Sequence, residues 1–380
     1  YTTKVLSIKE SMSIARTDRA TVIANMLADL DEVINGNYLP TSYDADNKGR
    51  ITRWAAMAIK AKIYLFEGNW TQVKNITSTI MTEGGFTLFG SYAGLFEIAN
   101  EYNSEVILDA QYRPTSREHQ MMYAFLPPSL GGYSQLSPLQ ELVDSYIMLD
   151  GKTIKETGTS FDESNPYANR DPRLKATVMY TGNSYTLADG TEVVINCEKG
   201  EGKDGYGVGS DCSATGYYIK KYWDNTYRAT LYSGLNPILI RYADILLMNA
   251  EALAELGELD KMAWDATIKP IRDRAGFTLT SAVEFPEGAS KDKLIEIVRN
   301  ERRSELALEG HRHKDIIRWR IADDVLNGWC HGLKTNEVVG TDNGYVRVEN
   351  RAFNANRHYL WPIPQAERDL NGNLEQNPNW

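Results

Sequence analysis

One stretch, Ser290 to Trp319, limits what this chain can fold into more than any other: SKDKLIEIVRNERRSELALEGHRHKDIIRW. Ser290 is placed to cap a helix, because its hydroxyl can accept a backbone N–H of the first turn, and Gly310 stands where a left-handed residue ends one. At about 3.6 residues per turn, one face of the intervening helix takes Leu294, Val298, Glu301, Glu305 and Leu308. Two carboxylates therefore lie on an otherwise apolar stripe. A buried carboxylate is costly unless paired, and Arg302, Arg303, Arg312 and Arg318 are close in sequence. The expectation is an internal ion-pair network of Glu301, Arg302, Arg303, Glu305 and Arg318 that clamps this helix to the next one. The competing reading is a solvated charged face.

Size and composition permit such burial. The chain has 380 residues, 42% hydrophobic and 10% aromatic, enough for a substantial core in one large or two ordinary domains. Net charge is −10 with no Lys/Arg block, which excludes a nucleic-acid footprint. No window approaches the roughly 18 consecutive apolar residues that a membrane-spanning helix needs. The first residues, YTTKVLSIKE, show no charged leader followed by an apolar run, so an export segment is expected outside this chain if the protein is not cytoplasmic. Cys197, Cys212 and Cys330 make neither a disulfide framework nor a metal-ligand spacing, although Cys197 and Cys212 flank a glycine-rich loop and can pair in an oxidising compartment.

Helical spacing of Val22, Ile23, Met26, Leu27, Leu30, Val33 and Ile34 predicts a helix from Thr17 as cap to about Ile34, ended by Asn35, Gly36 and Pro40. From Arg53 to Trp70 small Ala55, Ala58 and Ala61 alternate with bulky Tyr64 and Leu65. Gly68 and a second helix through Val73, Ile76 and Ile80 follow, which describes an antiparallel pair of the tetratricopeptide kind. A second pair is predicted at Tyr242 to Leu256 and Asp260 to Ala275, stopped by Gly257 and Gly276, with a kink at Pro270. About three repeats are needed for a solenoid, so the two pairs must pack on each other, on the helix at 17–34 or on something missing. The helical scaffold is thus placed at 17–83 and 241–320.

Between the pairs the pattern changes. EVILDAQY reads as a strand, and TLADGTEVVINC as a hairpin turning at Asp189-Gly190. Residues 105–236 form a loop-rich subregion, and long irregular segments of this kind are more often functional than idle. Segment 217–232 interleaves tyrosines and Trp223 with Lys220, Lys221, Asp224, Asn225 and Arg228. Trp and Tyr faces cover the C–H faces of sugar rings while polar side chains bond the hydroxyls, so this run points to a glycan surface, with Tyr218 and Tyr222 expected to turn inward. The binding candidates are Tyr185, Tyr206, Trp223 and Tyr227. Residues 321–380 make a C-terminal segment.

The remaining motifs are weaker. Asp44, Asp46 and Gly49 match the start of a calcium loop, but Lys48 and Ala55 stand where ligands belong, so no metal or other cofactor is expected and calcium has only this partial support. Gly200, Gly202 and Gly205 spell G-x-G-x-x-G without a helix to follow, and His311 and His313 have no further ligand cluster near them. No G-x-S-x-G, H-E-x-x-H or Walker sequence occurs.

Taken together, GRITRWAAMAIKAKIYLFEGNW, LGGYSQLSPLQELVDSYIMLDGKTI with RDPRL, ILIRYADILLMNAEALAELG, IRDRAG, NERRSELALEGHRHKDIIRW and YLWPIPQAERDLNGNLEQNPNW resemble the SusD/RagB family in order. The resemblance implies a mainly α fold: a tetratricopeptide-like helical repeat scaffold with long irregular loops and a few short β-hairpins, forming one domain over 1–380 that is truncated at its N-terminus. It also implies a non-catalytic, lipid-anchored protein at the cell outer membrane that binds oligosaccharide or polysaccharide and delivers it to a SusC-like TonB-dependent barrel transporter. A peptide-binding member of the same family, a glycoside hydrolase and a cytoplasmic scaffold are the alternatives.

Overall fold

The computed structural model describes residues 1–226 and 231–380. Its principal helices are α1 (Arg19–Asn35), α2 (Arg53–Glu67), α3 (Trp70–Glu83), α4 (Pro172–Thr177), α5 (Tyr242–Leu256), α6 (Lys261–Ala275), α7 (Lys291–Glu305) and α8 (Arg312–Arg318). Asp18, not Thr17, caps α1, since its carboxylate accepts the Thr21 N–H. Thr52, Asn69, Asp260 and Ser290 cap α2, α3, α6 and α7 in the same way.

The alanines of α2 are buried with Trp54 and Leu65 against Val73 and Ile80 of α3, because a small residue opposite a large one lets two helices approach closely. Gly68, at φ 69°, makes the left-handed turn between them. The two predicted pairs pack directly on each other, α3 against α5, with α1 on α2. That position between neighbours explains why α5 is buried around most of its circumference. Helix α6 runs unbroken through Pro270.

Helix α7 stops at Glu305, one turn short of the Gly310 end that the spacing predicts. The carbonyls at and just past its end are taken by side chains: Tyr92 and Arg241 donate to Glu305 O, and Lys221 donates to Ala307 O. These donors satisfy the helix end where it stands, and Leu308 leaves the stripe for a left-handed, 38% exposed position.

Nine short strands occur among the described residues: β1 (Val106–Asp109), β2 (Val178–Met179), β3 (Ser184–Thr186), β4 (Glu192–Val194), β5 (Tyr218–Ile219), β6 (Ile238–Arg241), β7 (Gly328–Lys334), β8 (Thr341–Asp342) and β9 (Tyr345–Arg351). They pair antiparallel as β1 with β6, β2 with β5, β3 with β4, and β7 with β9 and β9 with β8. Asp189-Gly190 turns between β3 and β4 as the dipeptide suggests, with Gly190 at φ 82°.

The carboxylates of α7 are buried and paired, but with partners from the whole molecule. Glu305 takes Arg173 of α4 at 2.9 Å, Arg241 of β6 at 2.6 Å, and Arg274 of α6. Glu301 takes Arg173 and Arg272, Arg302 pairs with Asp244 and Asp315, and Arg318 with Glu251 and Asp315. Arg303 is the exception: its guanidinium donates to the backbone carbonyl of Glu141 and joins no ion pair among the described residues, because its side chain points to the one-turn helix Gln140–Ser145 rather than to the scaffold interior. Burial alone would raise the Glu309 carboxyl, but Arg241 and Lys221 outweigh it and hold the group down to about 2.

Candidate functional site

The loop-rich segments and the C-terminal sheet enclose a cavity of about 350 Å³. Its tyrosines are fixed by their neighbours. The Tyr167 ring stacks on Tyr180 with centroids 4.0 Å apart and 15° between planes, and Tyr217 meets it edge-on at 6.5 Å. Tyr217 Oη donates to Gln140 Oε1 at 2.6 Å, and Gln140 Nε2 donates to Asp144 at 2.7 Å. That leaves Tyr217 Oη to accept from Tyr167 Oη at 3.2 Å. Burial pushes both phenols upward, so the relay stays protonated and its orientation holds.

At the mouth, Lys334 of β7 pairs with Glu163 at 2.9 Å and lies over the Tyr345 ring at 5.5 Å. Asn165 and Asn336 add exposed amides to the lining. Ring faces with amides and hydroxyls around their edge suit a pyranose, whose C–H face is apolar and whose rim is polar. A second cavity, of about 360 Å³ beside Trp264, lacks these features: Trp264 is wholly buried and its indole N–H is spent on Val283 O.

The residues expected from the sequence lie elsewhere. Tyr185 is corrected to a core residue, wholly buried with its hydroxyl donated to Ile219 O at 2.7 Å, so no ring face is free. Trp223 is half-buried, edge-to-face with Tyr185 at 5.2 Å, and donates its indole N–H to Thr186 O. Tyr206 is half-buried behind the cavity wall, its N–H bonded to Cys197 O. Tyr227 lies outside the described residues. Tyr218 and Tyr222 do turn inward. Tyr167, Tyr345, Gln140 and Lys334 were not singled out from the sequence because they come from three distant segments, although Gln140 and Tyr167 lie in the loop-rich subregion at 105–236.

Other motifs resolve locally. Asp44 spends its carboxylate on the N–H groups of Asn47, Gly200 and Gly202 sit in a left-handed loop without a following helix, and Cys197 and Cys212 are unpaired thiols. No cluster able to hold a metal occurs among the described residues, nor is any helix there long and apolar enough to cross a membrane.

A sequence model of the SusD family matches residues 95–380. This chain belongs to the SusD family. It is 27% identical over 350 residues to SusD-like protein P25 of Formosa agariphila, covering 86% of this chain and 60% of that protein. A SusD-like protein of Bacteroides ovatus is 24% identical over 79% of this chain and 53% of its own length. The chain thus spans little more than half of these SusD-like relatives. Among solved structures, a SusD-like carbohydrate binding protein from Bacteroides fragilis aligns at TM-score 0.86 and 30% identity, over 99% of this chain and 75% of that one. A laminarin binding SusD-like protein shares the fold at TM-score 0.64 and 23% identity, over all of this chain and 73% of that one.

Proposed function

We propose that this chain captures oligosaccharide without cleaving it, and that the tyrosine cavity between residues 163–167 and the β7–β9 hairpin is where a sugar ring seats. The observation that carries this reading is the cavity itself: Tyr167 and Tyr345 for the ring face, with Gln140, Asn165 and Asn336 for its hydroxyls. Membership of the SusD family supports it, as does the likeness to a protein described as carbohydrate binding. In the same reading the full-length protein is lipid-anchored at the outer membrane and passes its ligand to a TonB-dependent barrel transporter. Trp223, half-buried on the neighbouring surface, serves as an outlying contact for a longer chain.

Calorimetric titration with a panel of neutral oligosaccharides tests this. Saturable binding by one class, weakened about tenfold by Tyr345→Ala at an unchanged melting temperature, is the expected result. Binding that ignores both Tyr345→Ala and Tyr167→Ala moves the site elsewhere. Stabilisation by oligopeptides and not by saccharides replaces the glycan reading.

A further inference from the structure

Two guanidiniums of the Ser290–Trp319 stretch have no carboxylate. Arg303, half-buried on α7, bonds only the carbonyl of Glu141. Arg312, half-buried at the start of α8, makes no hydrogen bond or ion pair among the described residues and only approaches the Trp319 ring, at 5.8 Å. The two repel: burial and the charge of Arg312 push Arg303 down to about 10, and burial lowers Arg312 as well. Neither is ion-paired among the described residues, and Glu141 and Asp144 attract Arg303, and Asp315 attracts Arg312, only from beyond ion-pair distance. Such partly desolvated charges cost free energy, which a bound anion returns.

The nearby carboxylates are already committed. Asp315 holds Arg302 and Arg318, Glu141 holds His331, Glu251 holds Arg318, and Glu296 bonds Lys293. Asp292, in the first turn of α7, and Glu296 line the N-terminal end of the same groove, with Arg303 near the other end of the helix. Arg299 turns to Glu255, and its buried Nε makes no hydrogen bond but lies 3.9 Å from a Glu251 oxygen. Arg299, Arg303 and Arg312 line one groove of about 340 Å³, flanked by Trp319 and Ile321.

We propose that Arg303 and Arg312 form an anion-binding site, separate from the tyrosine cavity, for a carboxylate or sulfate group carried by a small solute such as an acidic sugar. Guanidinium forks match both oxyanions in geometry, and the indole edge and Ile321 give an apolar flank for the ring that bears the charge. This inference does not rest on the glycan reading of the cavity: an anion site here would bind free glucuronate or inorganic sulfate even if the cavity took no neutral sugar.

The test is titration of the protein with sodium glucuronate, sodium sulfate and glucose at ionic strength held constant with sodium chloride. Saturable binding of glucuronate or sulfate but not glucose, weakened about tenfold or more by Arg312→Gln and kept by Lys314→Gln on the exposed side of α8, is the expected outcome. Sulfate alone binding supports the site and narrows its ligand to a sulfate group. Arg303→Gln, measured in parallel, supplies the same comparison if Arg312→Gln does not fold. Absence of saturable binding by either anion, or binding equal in wild type and both glutamine variants, overturns the assignment.

Discussion

Glu309 shows how much a single buried charge holds in this protein. Its carboxyl, ordinarily near 4.5, is held to about 2 by Arg241 and Lys221. A depressed carboxylate contributes stability that is present above its unfolded value and lost as pH falls through the folded one. At roughly 1.4 kcal/mol per pKa unit, Glu309→Gln should cost about 3 kcal/mol at pH 7. The difference from wild type should shrink as pH drops below about 4.5. Urea unfolding at pH 7 and pH 3 measures both, and a gap that stays constant with pH would mean that the charge contributes nothing beyond its shape. The sequence revealed such residues only in part. Glu301 and Glu305 were legible as buried because they fall on an apolar stripe, a local pattern. Their partners were not, since Arg241 and Arg173 lie 64 and 132 residues away from Glu305. Arg303 misled because nearness in sequence does not say which way a side chain points.

Elements read better where one helix carries its own signals. The alanine and leucine spacing of α2 and α5, with Gly68, Gly257 and Gly276 at left-handed turns, predicted both pairs almost to the residue. The β7–β9 hairpin carried no such signal, because what fixes it is a contact across the fold. His331 Nδ1 meets Glu141 at 2.7 Å and Nε2 meets Asp342 at 3.0 Å. Only the imidazolium can donate to both at once. Burial pushes His331 down, but its bonds to Asp342 and Glu141 outweigh burial and raise it. Stability from a raised histidine is complete below its unfolded value, about 6.5, and is lost as pH rises through the folded one. Hydrogen exchange, corrected for the intrinsic pH effect, should therefore show β7 amides better protected at pH 5.5 than at pH 8, and His331→Gln should abolish that difference. Equal protection at both pH values in wild type would show the hairpin is held by its other contacts. One of those is Gly216, at φ 75°, where an added Cβ would fall 1.7 Å from the Leu333 side chain. Gly216→Ala should lift β7 from the loops, combining left-handed strain with overpacking for a loss of about 2–4 kcal/mol, measurable as a lowered urea midpoint.

At the scale of the whole molecule, the question is what makes the loops and the scaffold one unit. Core apolar residues cluster separately, around Tyr146, Tyr185 and Tyr217 in the loops and around the helices of the scaffold. The charged contacts cross between them. Arg173 on α4, only 1% exposed, bonds Asp171 beside it and reaches Glu301 and Glu305 on α7. Lys221 next to β5 reaches Glu309 and the carbonyl of Ala307. The signature stretch therefore acts as a seam whose carboxylates draw arginines from both sides. Arg173→Leu keeps an apolar stem but strips three buried carboxylates of a shared partner, a change of about 3–5 kcal/mol. Because Glu305 retains Arg241 and Arg274, and Glu301 retains Arg272, the scaffold should survive it. The loops lose one of their two charged ties and keep only Lys221 on Glu309, so calorimetry should resolve a low-temperature transition for the loop region ahead of the scaffold. Saccharide affinity should fall with it, since the Gln140 and Tyr167 walls of the cavity belong to those loops. A single cooperative transition, merely shifted to lower temperature, would show instead that apolar packing between the clusters is enough to couple them, and that the buried charges fix the orientation of the two parts rather than their union.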